Sequence, residues 1–305
     1  MKVMKIKNIL GSVIMFMLLV VGILWALNMT ITPHAGTDHD TSATKVNSKP
    51  IRVVALGDSL TEGVGDTTSM DGYPTRLKNK IKDYTHKSVV MSNFGISGER
   101  SDQILNRLEH NDKLRQRVRS ANLLVLTAGG NDLLQTLQRN VTDNSSELAL
   151  KVNQANVTYS NNIKNIFSGV RKLNPDIKIF MISIYNPFFV YFPNVATINS
   201  SVEAFNTSAQ NVTNSGENAY FINVNKTLSE GQFDTSDKLN ELKQKSKIDT
   251  LDPSSLDKAQ STLNNNTEKN IYLSDNDHFH PNGKGYDVMT KYLFESIKTN
   301  TNLKK

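Results

Sequence analysis

Two segments far apart in this sequence carry the side chains that could do nucleophilic chemistry together. Ser59 stands in Gly57-Asp58-Ser59-Leu60, directly after the β-type run Ile51-Arg52-Val53-Val54-Ala55-Leu56. A serine on the loop after a buried strand sits at the rim of a parallel sheet, where open α/β folds gather their active sites. Its hydroxyl is a weak nucleophile at neutral pH. It needs a base within hydrogen-bond reach, a group that orients the base, and donors for the oxyanion that forms. On its own segment, Ser59 reads equally well as a helix N-cap.

The base is sought among six histidines. His34 and His39 lie in a polar stretch near the start, and His86 and His110 flank polar helical patches. His278 and His280 remain, in Asp275-Asn276-Asp277-His278-Phe279-His280-Pro281-Asn282. Two Asp-x-x-His pairs overlap there, Asp275 with His278 and Asp277 with His280. The second is chosen, because Pro281 is a good first helical residue and a helix start would fix His280. His278 is the secondary candidate, with its pair expected to face solvent. A carboxylate on Nδ1 holds the imidazole in the tautomer whose Nε2 accepts the serine proton. The same cluster offers four oxygen and nitrogen ligands, but one short loop rarely closes a metal's coordination sphere. No metal and no cofactor are expected.

Two more loops supply donors. Asn93-Phe94-Gly95-Ile96-Ser97-Gly98 ends the second β-type run, and Gly98 can bring its backbone N–H close to a ligand with no Cβ in the way. Gly129-Gly130-Asn131-Asp132 ends the third, where Asn131 offers a side-chain amide. The alternatives are a plain turn glycine and an Asn-Asp helix cap. Asp58, next to the serine, is taken as a supporting residue.

These loops need a scaffold that delivers them to one edge. Five β-type runs, Arg52–Leu56, Ser88–Phe94, Leu123–Thr127, Lys178–Ile184 and Tyr220–Val224, alternate with helical spacings. Tyr73, Leu77, Ile81 and Tyr84 repeat at three and four residues, as do Ile163, Ile166, Phe167, Val170 and Leu173. A last helix carries Tyr286, Met289, Tyr292, Leu293 and Ile297 on one face. Apolar strands alternating with amphipathic helices predict a three-layer α/β/α domain around a parallel sheet. A strand order 2-1-3-4-5 makes the runs ending at Ser59, Gly98 and Asn131 neighbours. Tyr185-Asn186-Pro187-Phe188-Phe189-Val190-Tyr191-Phe192-Pro193 follows the fourth run and hangs over the same edge. Pro187, Phe188, Phe189 and Tyr191 are candidates to line an acyl-chain groove; the alternative is a satellite core.

The remaining sequence bounds the setting. The 305 residues suit one domain of roughly 200–250 residues plus extras. A net charge of +6 is spread out, without the basic block that nucleic-acid binding needs, so no nucleic-acid partner is expected. With no cysteine, disulfides, thiolate metal sites and a cysteine nucleophile are excluded. Lys2, Lys5 and Lys7 precede an uncharged run from Ile9 to Leu27, the pattern of a signal peptide or signal anchor. Its length is close to the roughly 20 apolar residues of a membrane span, and Pro33-His34-Ala35 is a poor cleavage site. This favours an uncleaved anchor over residues 1–29, with the lysines inside and the rest outside; cleavage would make the protein secreted. Residues 30–49 read as a polar tether and 50–300 as the domain. Residues 226–270, rich in Lys, Asn, Ser, Asp and Gln, break the alternation as an insertion, either a lid or a solvated excursion.

In its four segments and their order, the chain resembles the SGNH (GDSL-type) hydrolases, over about residues 51–298. It is similar to membrane-anchored lipase/acylhydrolase-like proteins of low-GC Gram-positive bacteria. The resemblance implies a flavodoxin-like α/β/α fold and serine ester hydrolysis without metal or organic cofactor. By position it implies Ser59 as nucleophile and backbone oxyanion donor, Gly98 and Asn131 as the other donors, His280 as base and Asp277 as its orienter. The insertion departs from compact members and leaves the substrate open: an ester, a lipid or an acylated glycan, with a cell-wall carbohydrate deacetylase or a non-catalytic glycan- or lipid-binding surface protein as alternatives. A monomer is expected.

Overall fold

A computed structural model describes residues 49–140, 143–246 and 267–304. Five parallel strands form one sheet in the order β2-β1-β3-β4-β5. They are β1 (Ile51–Gly57), β2 (Val89–Gly95), β3 (Leu123–Thr127), β4 (Lys178–Ile182) and β5 (Ala219–Ile222). The helices in chain order are α1 (Ser59–Glu62), α2 (Tyr73–Thr85), α3 (Ser101–His110), α4 (Asp112–Ser120), α5 (Gly130–Arg139), α6 (Ser145–Leu173), α7 (Ala196–Asn214), α8 (Asn225–Glu230), α9 (Ser236–Lys245) and α10 (Gly283–Asn300).

The near-continuous apolar strands are explained by what each face meets. Successive side chains of a strand point to opposite faces. Val54 and Leu56, Leu124 and Leu126, and Ile179 and Met181 enter one core with Ile104, Leu108, Leu114, Val118, Ile163 and Phe205. Their neighbours Val53, Ala55, Leu123, Val125, Phe180 and Ile182 enter the other, with Tyr73, Leu77, Ile81, Tyr286, Met289 and Leu293. Along β1, β3 and β4 both faces are buried, so little polar alternation is left to read there.

Several elements differ from the sequence expectation. α6 begins at Ser145, well before Ile163, because Asn144 and Glu147 form a capping box that starts the helix early. Tyr292 stands off the apolar face of α10; its hydroxyl lies 3.0 Å from that of Thr227, at the protein surface. Pro281 is not the first helical residue. It lies in a single antiparallel bridge to Leu273, and Asn282 caps α10 instead, accepting from the Gly285 N–H at 3.1 Å.

Within the stretch 226–270, α8 packs Leu228 into the core, while α9 buries nothing. Asn270 then returns to the core, donating to the Leu228 carbonyl at 2.7 Å. Among the described residues no helix is long and apolar enough to cross a membrane. The run Ile9 to Leu27 and most of the polar tether lie outside the described residues.

Candidate active site

Ser59 opens α1, a single turn held at both ends. Asp58 caps it, accepting from the Leu60 N–H at 3.1 Å, and Gly63 closes it by donating to the Ser59 carbonyl at 3.0 Å. A buried set of hydroxyls ties this turn to the neighbouring strand ends. Thr127, the last residue of β3, donates to Asp58 Oδ1 at 2.7 Å. Its hydroxyl lies 2.8 Å from that of Thr61, which in turn lies 2.9 Å from the Tyr73 hydroxyl. Burial pushes the Asp58 carboxyl up, against the opposing bonds from Thr127 and Leu60 and the charge of His280.

His280 reaches Ser59 across 221 residues of sequence. Its Nε2 lies 2.8 Å from Ser59 Oγ, and its Nδ1 lies 2.7 Å from Asp277 Oδ2. A carboxylate only accepts, so Nδ1 carries the proton and Nε2 accepts from the serine hydroxyl. The other Asp277 oxygen accepts from the backbone N–H groups of Phe279 and His280, each at 2.9 Å. Burial raises the Asp277 carboxyl, but the bond and charge of His280 and these two N–H groups outweigh it and leave it lowered. All three residues are buried, Ser59 at 5%, Asp277 at 5% and His280 at 3% exposure. What fixes His280 is this local loop together with the Asn282 side chain, which donates to the Ile271 and Leu273 carbonyls. The helix start contributes through Asn282 rather than Pro281.

The family model for the GDSL-like Lipase/Acylhydrolase family matches residues 55–288. This chain belongs to that family. As a member it is a carboxylic ester hydrolase. It is 28% identical over 249 residues to the uncharacterised protein YpmR of Bacillus subtilis, covering 81% of this chain and 82% of that one. It is 27% identical over 157 residues to the spore germination lipase LipC of Bacillus licheniformis, covering 51% of this chain and 72% of that protein. Among solved structures it superposes on the lipase Lip_vut3 from a goat rumen metagenome with a TM-score of 0.61 at 21% identity, over 83% of this chain and 99% of that one. That likeness is one of fold.

In this GDSL-like acylhydrolase the loops after β1, β2 and β3 leave the same edge of the sheet. Gly57 pairs with Gly95, and Leu56 with Leu126. Gly98 sits in the turn after β2 at φ +78°, a left-handed conformation that favours glycine, and the position of an added Cβ is open space. Asn131 lies in the first turn of α5, which Gly129 rather than Asn131 caps. One Asn131 Nδ2 hydrogen goes to the Glu99 carbonyl at 2.9 Å, which leaves the second for a ligand. Gln135 on the same helix donates to the Gly98 carbonyl at 3.0 Å, so the two loops are bound to each other.

His278 is not a spare base. It adopts a left-handed φ of 54° and sets its Nδ1 2.7 Å from Glu268 Oε2, not on Asp275. Asp275 is exposed, as expected for that pair, but His278 turns from it to Glu268, whose side chain is only 2% exposed. Asp275 instead accepts from the Glu268 N–H at 3.1 Å. Each imidazole of this loop thus has its own carboxylate, and Asp275 is left to a backbone N–H. Among the described residues no group of three or more His, Asp or Glu gathers as a metal site.

The aromatic segment divides. Tyr191, Phe192 and Val195 form a small buried cluster of their own, and the Tyr191 hydroxyl donates to Glu268 at 3.1 Å. Pro187 is buried as well, while Phe188 and Phe189 stay half-buried. Phe188 stands 6.2 Å from the Phe279 ring, which meets His280 edge-on at 4.9 Å.

Sequence reasoning missed the groups behind the site. Thr127 carried a signal, being the lone hydroxyl ending an otherwise apolar strand. Glu62 accepts from the Ser97 N–H at 2.6 Å, and Asp132 accepts from the Ser101 N–H and hydroxyl at 3.0 and 2.5 Å. Nothing in the local sequence sets these acids apart from solvated ones.

Proposed function

We propose that this protein hydrolyses apolar carboxylic esters through an acyl-serine intermediate. The observation that carries the reading is the line Asp277–His280–Ser59, at 2.7 and 2.8 Å. His280 Nε2 takes the Ser59 proton as Oγ attacks the ester carbonyl. The negative charge that develops on the carbonyl oxygen is met by the backbone N–H groups of Ser59 and Gly98 and by the free Asn131 amide hydrogen. His280 then gives the proton to the leaving alkoxide, which departs as the alcohol. Water, deprotonated by the same nitrogen, releases the acid and restores Ser59. Asp277 stays ionised throughout and stabilises the imidazolium.

The half-buried rings of Phe188 and Phe279 beside His280 support an acyl chain of more than two carbons, since apolar walls bind apolar chains. The basic start and the run Ile9 to Leu27 support attachment to the membrane with the domain outside. The test is hydrolysis of p-nitrophenyl acetate, butyrate and octanoate by the purified protein beside Ser59→Ala. Loss of turnover in the variant and preference for the longer chains are expected. Equal turnover in the variant sinks the serine mechanism; a preference for acetate points instead to a deacetylase.

A further inference from the structure

One charged side chain outside the catalytic line touches both strand ends that frame it. Arg107, on α3, turns away from the core that Ile104 and Leu108 enter and lays its guanidinium across the ends of β1 and β2. Nη2 donates to the Gly57 carbonyl at 3.1 Å, two residues before Ser59. Nη1 donates to the Phe94 carbonyl at 3.0 Å, just before the turn that bears Gly98. Nε donates to the Glu99 carboxylate at 2.7 Å, and Glu99 and Arg107 side chains are each 13% exposed. The Glu99 backbone carbonyl in turn takes the Asn131 amide at 2.9 Å. The segment bearing the serine and the turn bearing the glycine therefore share one cation, and the helix bearing the asparagine joins them through Glu99.

We infer that Arg107 is a positioning residue for the oxyanion side of the site, acting through Gly57, Gly98 and Asn131 without touching substrate. The inference rests on the serine mechanism proposed above. The chemistry favours arginine, because its planar fork reaches three acceptors in fixed directions, while a lysine ammonium is a single point on a flexible stem. Misplacing a reacting group by about 1 Å can cost on the order of 10²-fold in rate. Other bonds join these loops as well, among them Gln135 to the Gly98 carbonyl and the Ile96 N–H to the Gly57 carbonyl, but Arg107 is the side chain that reaches both strand ends and Glu99 at once, so cutting it shifts the donors together.

Two readouts separate positioning from plain stability. Arg107→Met is expected to lower kcat on the order of 10²-fold with KM little changed. It is also expected to lose much less when made in the Asn131→Ala background, because both changes disable the same donors. Independent sites would multiply their losses to within about twofold. Full multiplication of the two losses, or a fall in melting temperature with kcat intact, overturns the inference. If Arg107→Met does not fold, Arg107→Lys and Glu99→Gln each cut part of the tie, and unchanged kcat in both overturns it equally. The serine mechanism fails separately, through activity retained by Ser59→Ala.

Discussion

Asp58 carries its charge where water does not reach. Burial lifts its carboxyl above the ordinary aspartate value of 3.8 despite the bonds from Thr127 and Leu60. A raised folded value means that the native state binds the proton before the unfolded chain does, so stability from this residue grows as pH falls towards about 4. Asp58→Asn removes that increment while keeping an oxygen for Thr127 and Leu60. The stability of the variant relative to the parent should therefore fall between pH 7 and pH 4.5 in urea titrations; a constant difference would contradict the assignment. Asp277 runs the other way. Its lowered carboxyl stabilises the fold above the ordinary aspartate range, and that stabilisation is lost as acid protonates it. At Asn131 the expectation is kinetic. Asn131→Ala should cost on the order of 10²–10³ in kcat with KM nearly unchanged, and steady-state kinetics on a p-nitrophenyl ester decides it. Asp277 and His280 were legible because histidine is scarce and their spacing is local; Ser59, 221 residues away, was legible from its place at the end of an apolar run. The partner of His278 was not, since Glu268 stands ten residues away on the returning end of the 226–270 stretch.

The elements present the functional groups through close approaches that leave little room. A Cβ on Gly95 would lie 2.1 Å from the Glu62 backbone nitrogen in α1, the turn that carries Ser59. Gly98, three residues on, has open space but a positive φ. The two glycines should therefore fail differently. Gly98→Ala should cost about 1–2 kcal/mol, the penalty of a left-handed residue with a Cβ. Gly95→Ala overpacks backbone against backbone and should cost about 3 kcal/mol or more, with lower kcat because α1 is displaced. Guanidinium unfolding of both variants tests the order, and a larger loss at Gly98 would refute it. The central strands β1, β3 and β4 were legible here because each is nearly all apolar and buried on both faces. α3 and α4 were not, as each puts only two large apolar side chains into the core, Ile104 with Leu108 and Leu114 with Val118, among charged residues that hide the period. The sequence period likewise exposed only the end of α6, where Ile163, Ile166 and Val170 are fully buried; its earlier turns also bury Val152 and Tyr159, but these stand seven residues apart among polar neighbours.

At the scale of the molecule, both cores and every side chain of the candidate site among the described residues lie between Ile51 and Ile297. The first core cluster runs from Val54 to Val212 and the second from Ile51 to Ile297, one on each face of the sheet. Arg76 joins the ends of this span. It pairs with Asp66 on the loop after α1 and, at 2.8 Å, with Asp287 on α10. The family match, residues 55–288, contains every side chain of the candidate site. Folding and ester hydrolysis should therefore be properties of residues 49–305 alone, while membrane attachment should belong to the apolar run Ile9 to Leu27. A chain lacking residues 1–48 is expected to unfold in one cooperative transition, to match the full chain in kcat/KM on a soluble ester, and to leave the membrane fraction when expressed in a Gram-positive host. The full chain is expected to pellet with membranes and to resist extraction by high salt, since an apolar span holds by burial and not by charge. Release of the full chain by salt, or its recovery from the medium with a new N-terminus past residue 29, would replace the anchor with a peripheral or secreted protein; loss of folding in the truncated chain would show that the tether contributes packing.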